Sequence, residues 1–261
     1  MAGGLKGPRE GHGRSIPGGD RQGCAITSGP SVTIQRIGQE GEPIAILDGF
    51  HDAPEELLAR ADGLSFGQLG PHYPGVRAPA DAAYLARRMD LLQTLLSDIF
   101  GISAGANLVE CNYSLLTTPP AELRPIQRLP HFDSTDPGRI AILHYLCGPE
   151  CGGTAFYRHH STGFETISDD RMEDYSRLLE EDIARRGMPA ADYVRGDTEI
   201  YAQTFRVDAA FNRLIIYRGW TLHSGLIPEA LPFLADPRAG RLTVNTFLQA
   251  RQAPAVMSRS G

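Results

Sequence analysis

Apolar and polar positions divide the chain into a mixed N-terminal segment and a longer β-rich one. Residues 32–37 and 43–50 are β-branched runs bounded by Gly and Pro, a pattern that predicts two strands. Residues 53–61 begin with a Pro and two acids, the marks of a helix N-terminus. Over residues 80–100, Leu85, Met89, Leu92, Leu95, Leu96 and Ile99 recur at helical spacing, predicting a second helix with one face in the core. The pattern then shortens. Strands are predicted over 107–116, 139–147, 154–157, 204–207, 213–218, 221–226 and 241–248, with turn signals at Pro119-Pro120, Gly148-Pro149, Gly152-Gly153, Gly219 and Pro237. Many short strands with frequent turns imply a sandwich or barrel. One helix interrupts them over 169–186, with Met172, Tyr175, Leu178, Leu179 and Ile183 inward and its acids and arginines in water.

Composition changes this picture at the ends. Residues 1–30 are dominated by Gly, Pro and scattered charge and cannot bury enough apolar surface to offset their ordering entropy. They are expected to form a flexible tail. Residues 31–105 then supply strands and supporting helices, 106–250 the β core, and 251–261 a second tail. No apolar run approaches the roughly 20 residues of a membrane helix, and no apolar stretch follows the N-terminal charges as in a secretion signal. A cytoplasmic protein is expected. A formal charge of −6 argues against a nucleic-acid surface. Cys24, Cys111, Cys147 and Cys151 are too few and too scattered for a disulfide framework and read as structural thiols.

Three elements carry candidate chemistry. His131 and Asp133, two apart on an extended segment, face the same side and could share a metal. Read alone, they are equally a surface hydrogen-bonded pair. His223 ends an apolar run, where a histidine is usually a satisfied rim residue. In the last strand, alternation places Arg241, Thr243, Asn245 and Phe247 on one face. If that face looks inward, a guanidinium is held where only an anion makes it inexpensive. The tandem His159-His160 and Arg158 read as solvated strand-exit residues.

Taken together, these elements resemble the Fe(II)- and 2-oxoglutarate-dependent oxygenases, in particular their prolyl-hydroxylase-like branch, over residues 107–248. The resemblance implies a double-stranded β-helix of jelly-roll, cupin-like type, mainly β with flanking helices. It carries over His131, Asp133 and His223 as metal ligands, Arg241 as the anchor of the 2-oxoglutarate carboxylate and Thr243 as the hydroxyl residue two beyond it. Tyr145 falls where that branch often has a second cosubstrate ligand, and Tyr113 where a pocket tyrosine often precedes the first histidine. The implied cofactors are Fe(II), 2-oxoglutarate and O2. The implied activity is hydroxylation of a small amino-acid-like or natural-product molecule, with release of succinate and CO2. An Asp at 133, where related halogenases leave room for chloride, argues for hydroxylation. A peptidyl or carrier-tethered substrate, and a non-catalytic cupin-like binding protein, are the alternatives. Neither nucleic acid nor membrane is expected as a partner, and the sequence leaves oligomeric state open.

Overall fold

The structure is a computed structural model, and it describes residues 29–70 and 72–252. The expected tail over 1–30 therefore lies almost wholly outside the described residues, as does most of 251–261. Ten strands form two antiparallel sheets: β1 (Ser31–Ile37), β2 (Glu42–Asp48), β3 (Gly75–Pro79), β4 (Ala106–Leu116), β5 (Arg139–Tyr145), β6 (Gly153–His159), β7 (Tyr201–Asp208), β8 (Arg213–Arg218), β9 (His223–Leu226) and β10 (Leu242–Ala250). The larger sheet has the order β1-β2-β8-β5-β10-β4-β3 and the smaller β7-β6-β9. His131 adds an isolated bridge to His223, extending the smaller sheet past β9. From β4 onward, the chain crosses between the sheets at every step except from β6 to β7, with β4, β10, β5 and β8 facing the His131 segment, β9, β6 and β7. That alternation is a double-stranded β-helix, as expected.

Strand alternation sorts the residues between two cores. Outward positions such as Leu214, Ile216, Ile140, Ile142, Leu242 and Val244 pack beneath α1 (Pro54–Asp62) and α2 (Met89–Asp98). Inward positions, among them Leu143, Tyr145, Ile215, Tyr217 and Phe156, fill the space between the sheets. A third cluster, with Tyr157, Tyr201, Ile167 and Tyr175, seats α3 (Met172–Arg186) on the far side of the smaller sheet.

Two local expectations need correction, and one strand was not expected. The helix expected over 80–100 is a 3-10 turn over Ala82–Arg88 followed by α2, and the change of twist at Arg88 turns Met89 to solvent. His159 is fully buried, with Nε2 3.3 Å from the buried Asp182 of α3, so neither residue is solvated. Strand β3 has no counterpart among the expected strands; it pairs along β4 as the edge of the larger sheet.

Candidate metal centre

The segment carrying His131 and Asp133 is fixed to the barrel by its backbone. His131 N–H donates to the His223 carbonyl and His223 N–H to the His131 carbonyl, each at 2.8 Å, so the two histidines face one another across a single bridge. Asp133 N–H donates to the Gly219 carbonyl at 2.6 Å. Gly219 is required there, because a Cβ would stand 2.7 Å from Arg139 Cγ and 3.3 Å from Asp133 Cβ.

The side chains of His131, Asp133 and His223 then converge. One ligand atom from each lies within 4.8 Å of the others, the one such group among the described residues. His131 Nε2 is 3.9 Å and His223 Nε2 3.7 Å from the two carboxylate oxygens, beyond hydrogen-bonding distance. Asp133 Oδ2 is buried with no hydrogen-bond partner. A buried carboxylate oxygen without a donor is unfavourable, and burial pushes the Asp133 carboxyl up to about 6. His223 Nδ1 lies 2.8 Å from the Thr221 carbonyl, which can only accept, so Nδ1 carries the proton and Nε2 keeps its lone pair toward Asp133. Burial holds this imidazole neutral, with its pKa lowered to about 4. The rings of Tyr217 and Phe156 flank it at 4.9 and 6.3 Å. Two neutral-nitrogen donors and one carboxylate, with an orphaned oxygen between them, fit a divalent metal on one face of its coordination sphere. His131 is half exposed, so its side of the cluster reaches solvent.

Deeper in the barrel, the face of β10 bearing Arg241 and Thr243 looks inward. Arg241 is 5% exposed, and its Nε and Nη2 donate to the carbonyls of Cys151 (3.1 Å) and Gly153 (2.9 Å). The Cys147–Cys151 turn, unassigned by sequence, thus positions this guanidinium. Gly152 makes the turn possible: its φ is +87°, and a Cβ would fall 1.9 Å from the Leu226 carbonyl oxygen. Two of the five guanidinium N–H groups are used on these carbonyls, and among the described residues no carboxylate pairs with Arg241. A buried charge without a counter-ion is costly. Tyr145 is fully buried beside it, its ring centroid 5.9 Å from Arg241 Cζ and its hydroxyl 2.6 Å from Thr154 Oγ1. Thr243 Oγ1 donates to Asn245 Oδ1 at 2.7 Å.

Tyr113 is placed differently. Its neighbours Asn112 and Ser114 point inward, so alternation turns Tyr113 onto the outer face of β4, in the core beneath α1 and α2. It cannot reach the interior, and the assignment as a pocket residue is withdrawn. Two interior residues escaped the sequence reading, Tyr73 and Arg77. The buried Tyr73 hydroxyl has no partner, and burial raises its pKa to about 12 against the charges of Arg241 and Arg77. Only recognition of β3 as a strand, with Arg77 on its inward side, would have found them.

A family model matches residues 28–248. The chain belongs to the DUF6445 family. That family is described as one of unknown function. No curated protein matches this DUF6445 chain in sequence. Among solved structures it is similar to HygX from Streptomyces hygroscopicus with nickel and 2-oxoglutarate bound, at 14% identity and TM-score 0.42 over 79% of this chain and 82% of that one. It is also similar to the non-heme alpha ketoglutarate dependent epimerase SnoN from nogalamycin biosynthesis, at 16% and 0.42 over 80% and 78%. An N-substituted L-amino acid dioxygenase from Burkholderia ambifaria AMMD aligns at 13% and 0.43 over 85% and 95%. No helix among the described residues is long and apolar enough to cross a membrane.

Proposed function

We propose that this chain is an Fe(II)- and 2-oxoglutarate-dependent oxygenase that hydroxylates a small amino-acid-like or natural-product molecule. The observation that carries the reading is a pairing within one barrel. A two-histidine, one-carboxylate cluster with an orphaned oxygen shares the barrel with a buried guanidinium that no carboxylate of the described residues meets. A metal-binding or scaffold protein of the same shape would have no use for that second feature. The order of ligands, His131-x-Asp133, then His223, then Arg241-x-Thr243, follows the prolyl-hydroxylase-like pattern.

His131, Asp133 and His223 would hold Fe(II). The bound metal would supply oxidation by O2, coupled to loss of CO2 from 2-oxoglutarate to give succinate and to hydroxylation of a substrate C–H bond. The protein contributes position and field. Arg241, clamped by the Cys151 and Gly153 carbonyls, presents its remaining N–H groups to the distal carboxylate of 2-oxoglutarate as charge-assisted hydrogen bonds. Thr243 and Tyr145 place hydroxyls beside that carboxylate, each able to reorient from its present partner. Tyr217, Phe156 and Leu143 exclude water around the His223 side, which strengthens these interactions. Thr221 fixes the tautomer that leaves His223 Nε2 free to bind.

The test is anaerobic titration of metal-free protein with Fe(II) and then 2-oxoglutarate, following the weak visible absorption that the two give together. The band should form in the parent and vanish in His223→Ala. Arg241→Ala should need at least about tenfold more 2-oxoglutarate, the loss expected for a charge-assisted contact. Absence of the band, with iron not retained, would sink the assignment and favour a binding protein.

A further inference from the structure

A second guanidinium faces the interior from the same sheet, two strands from β10. Arg77 of β3 pairs in register with Ser114 of β4, which pairs with Thr243 of β10, so the three share the inward face. Its head lies over the Tyr73 ring, 4.6 Å from the centroid, which fixes the guanidinium plane. Glu110 approaches Nη1 at 3.6 Å, an ion pair too long to be a hydrogen bond. Among the described residues the Arg77 side chain makes no hydrogen bond, and its Nε is buried without a partner. β4, which carries Ser114 and pairs with β3, faces the His131 segment across the barrel, so this inward face looks toward the metal-centre side.

Arg77 differs from Arg241 in two ways that matter. Arg241 is tied to two carbonyls and closed in, whereas the Arg77 side chain makes no hydrogen bond among the described residues and lies beside the part-exposed Glu110. An unbonded, oriented guanidinium with a carboxylate at its edge is a receptor for a zwitterion. The planar fork of N–H groups takes a carboxylate in bidentate fashion. The neighbouring Glu110 attracts a cationic amine and repels a phosphate, whose second negative charge would sit against it. We propose that Arg77 and Glu110 form the head-group site of the primary substrate, an α-amino acid or close derivative whose carboxylate lies on Arg77 and whose amine meets Glu110. The catalytic use of this site rests on the oxygenase reading; the binding itself does not.

The experiment uses the full chain loaded with Ni(II) and 2-oxoglutarate, titrated calorimetrically with individual proteinogenic L-amino acids, their carboxamides and their deaminated acids. At least one amino acid should bind, and its carboxamide should bind at least about tenfold more weakly, because the bidentate charge pair is lost. Arg77→Ala should weaken that amino acid to a similar degree, Arg77→Lys should fall between, and Glu110→Gln should abolish the preference for the amino acid over its deaminated acid. Arg77→Ala should leave 2-oxoglutarate binding unchanged. The proposal is overturned if no amino acid binds the loaded parent, if Arg77→Ala and Arg77→Lys bind it as the parent does, or if Arg77→Ala loses 2-oxoglutarate instead. If the parent takes up neither metal nor 2-oxoglutarate, the oxygenase reading fails, and the same titration of the metal-free chain decides the Arg77 site separately.

Discussion

Arg241 sits under two opposing terms. Its buried charge costs stability without a counter-ion, while its hydrogen bonds satisfy two carbonyls that would otherwise be stranded. Replacing it with Met removes both at nearly constant volume. Arg241→Met should therefore keep its Tm within a few degrees of the metal-free parent, while 2-oxoglutarate affinity falls about a hundredfold, as for truncation of a buried charge contact. Thermal denaturation and calorimetry on the same samples check this. A Tm drop of tens of degrees would mean that the guanidinium is a structural pin. At this scale the sequence was readable where residue type is uncommon for its setting: an Arg on an inward face, and a His-x-Asp beside a strand. It was unreadable where the answer depended on facing. Tyr113 and Tyr145 are alike in sequence, and only the parity of β4 separates them.

Elements convert those residues into a site through close approach. The Asp133 segment touches the turn after β8 at Gly219, with no room for a methyl group. Gly219→Ala should leave the circular dichroism spectrum intact but weaken Ni(II) binding by about 10- to 100-fold, the usual cost of disturbing a ligand's support. Retained affinity would show that the loop moves freely. On the opposite side, α3 is held to the smaller sheet by polar burial. His159 Nδ1 lies 3.0 Å from Thr162 Oγ1, Ser161 donates to Asp182 at 2.5 Å, and the hydroxyls of Tyr175 and Tyr201 meet at 2.8 Å. Burial holds the His159 pKa below its ordinary value of 6.5. The folded chain thus refuses a proton that the unfolded chain accepts. The stabilisation is complete above pH 6.5 and is lost as pH falls below it. The Tm of the parent should therefore fall more steeply between pH 7 and 5 than that of His159→Gln, by a few degrees; equal slopes would place the titrating group elsewhere. Helical periodicity showed α3 but not Asp182, because a charged residue on an amphipathic helix is ordinarily assigned to water.

For the whole molecule, the legible part was the part fixed by repetition. Short apolar runs with turns between them gave the count and order of the core strands, and the ligand spacing singled out the His131–Asp133 segment and β9, whose side chains converge. Less legible was what depends on joining distant segments. β1 and β2 extend the larger sheet beyond β8, and β3 closes its other edge against β4, bringing Tyr73 and Arg77 into the interior. A five-residue edge strand that begins with Gly and ends with Pro has little local signal, since its order comes from the strand it pairs with.

The reciprocal backbone bridge between His131 and His223 bears on how the protein meets its metal. Two of the three ligands are gathered by folding itself, through hydrogen bonds that involve no ion. The entropy of assembling the donor set is spent before metal arrives. Small zinc-dependent domains, by contrast, fold only when loaded. On the proposed oxygenase reading, the chain accumulates as a folded, empty receptor when iron is scarce and fills without refolding when supply returns.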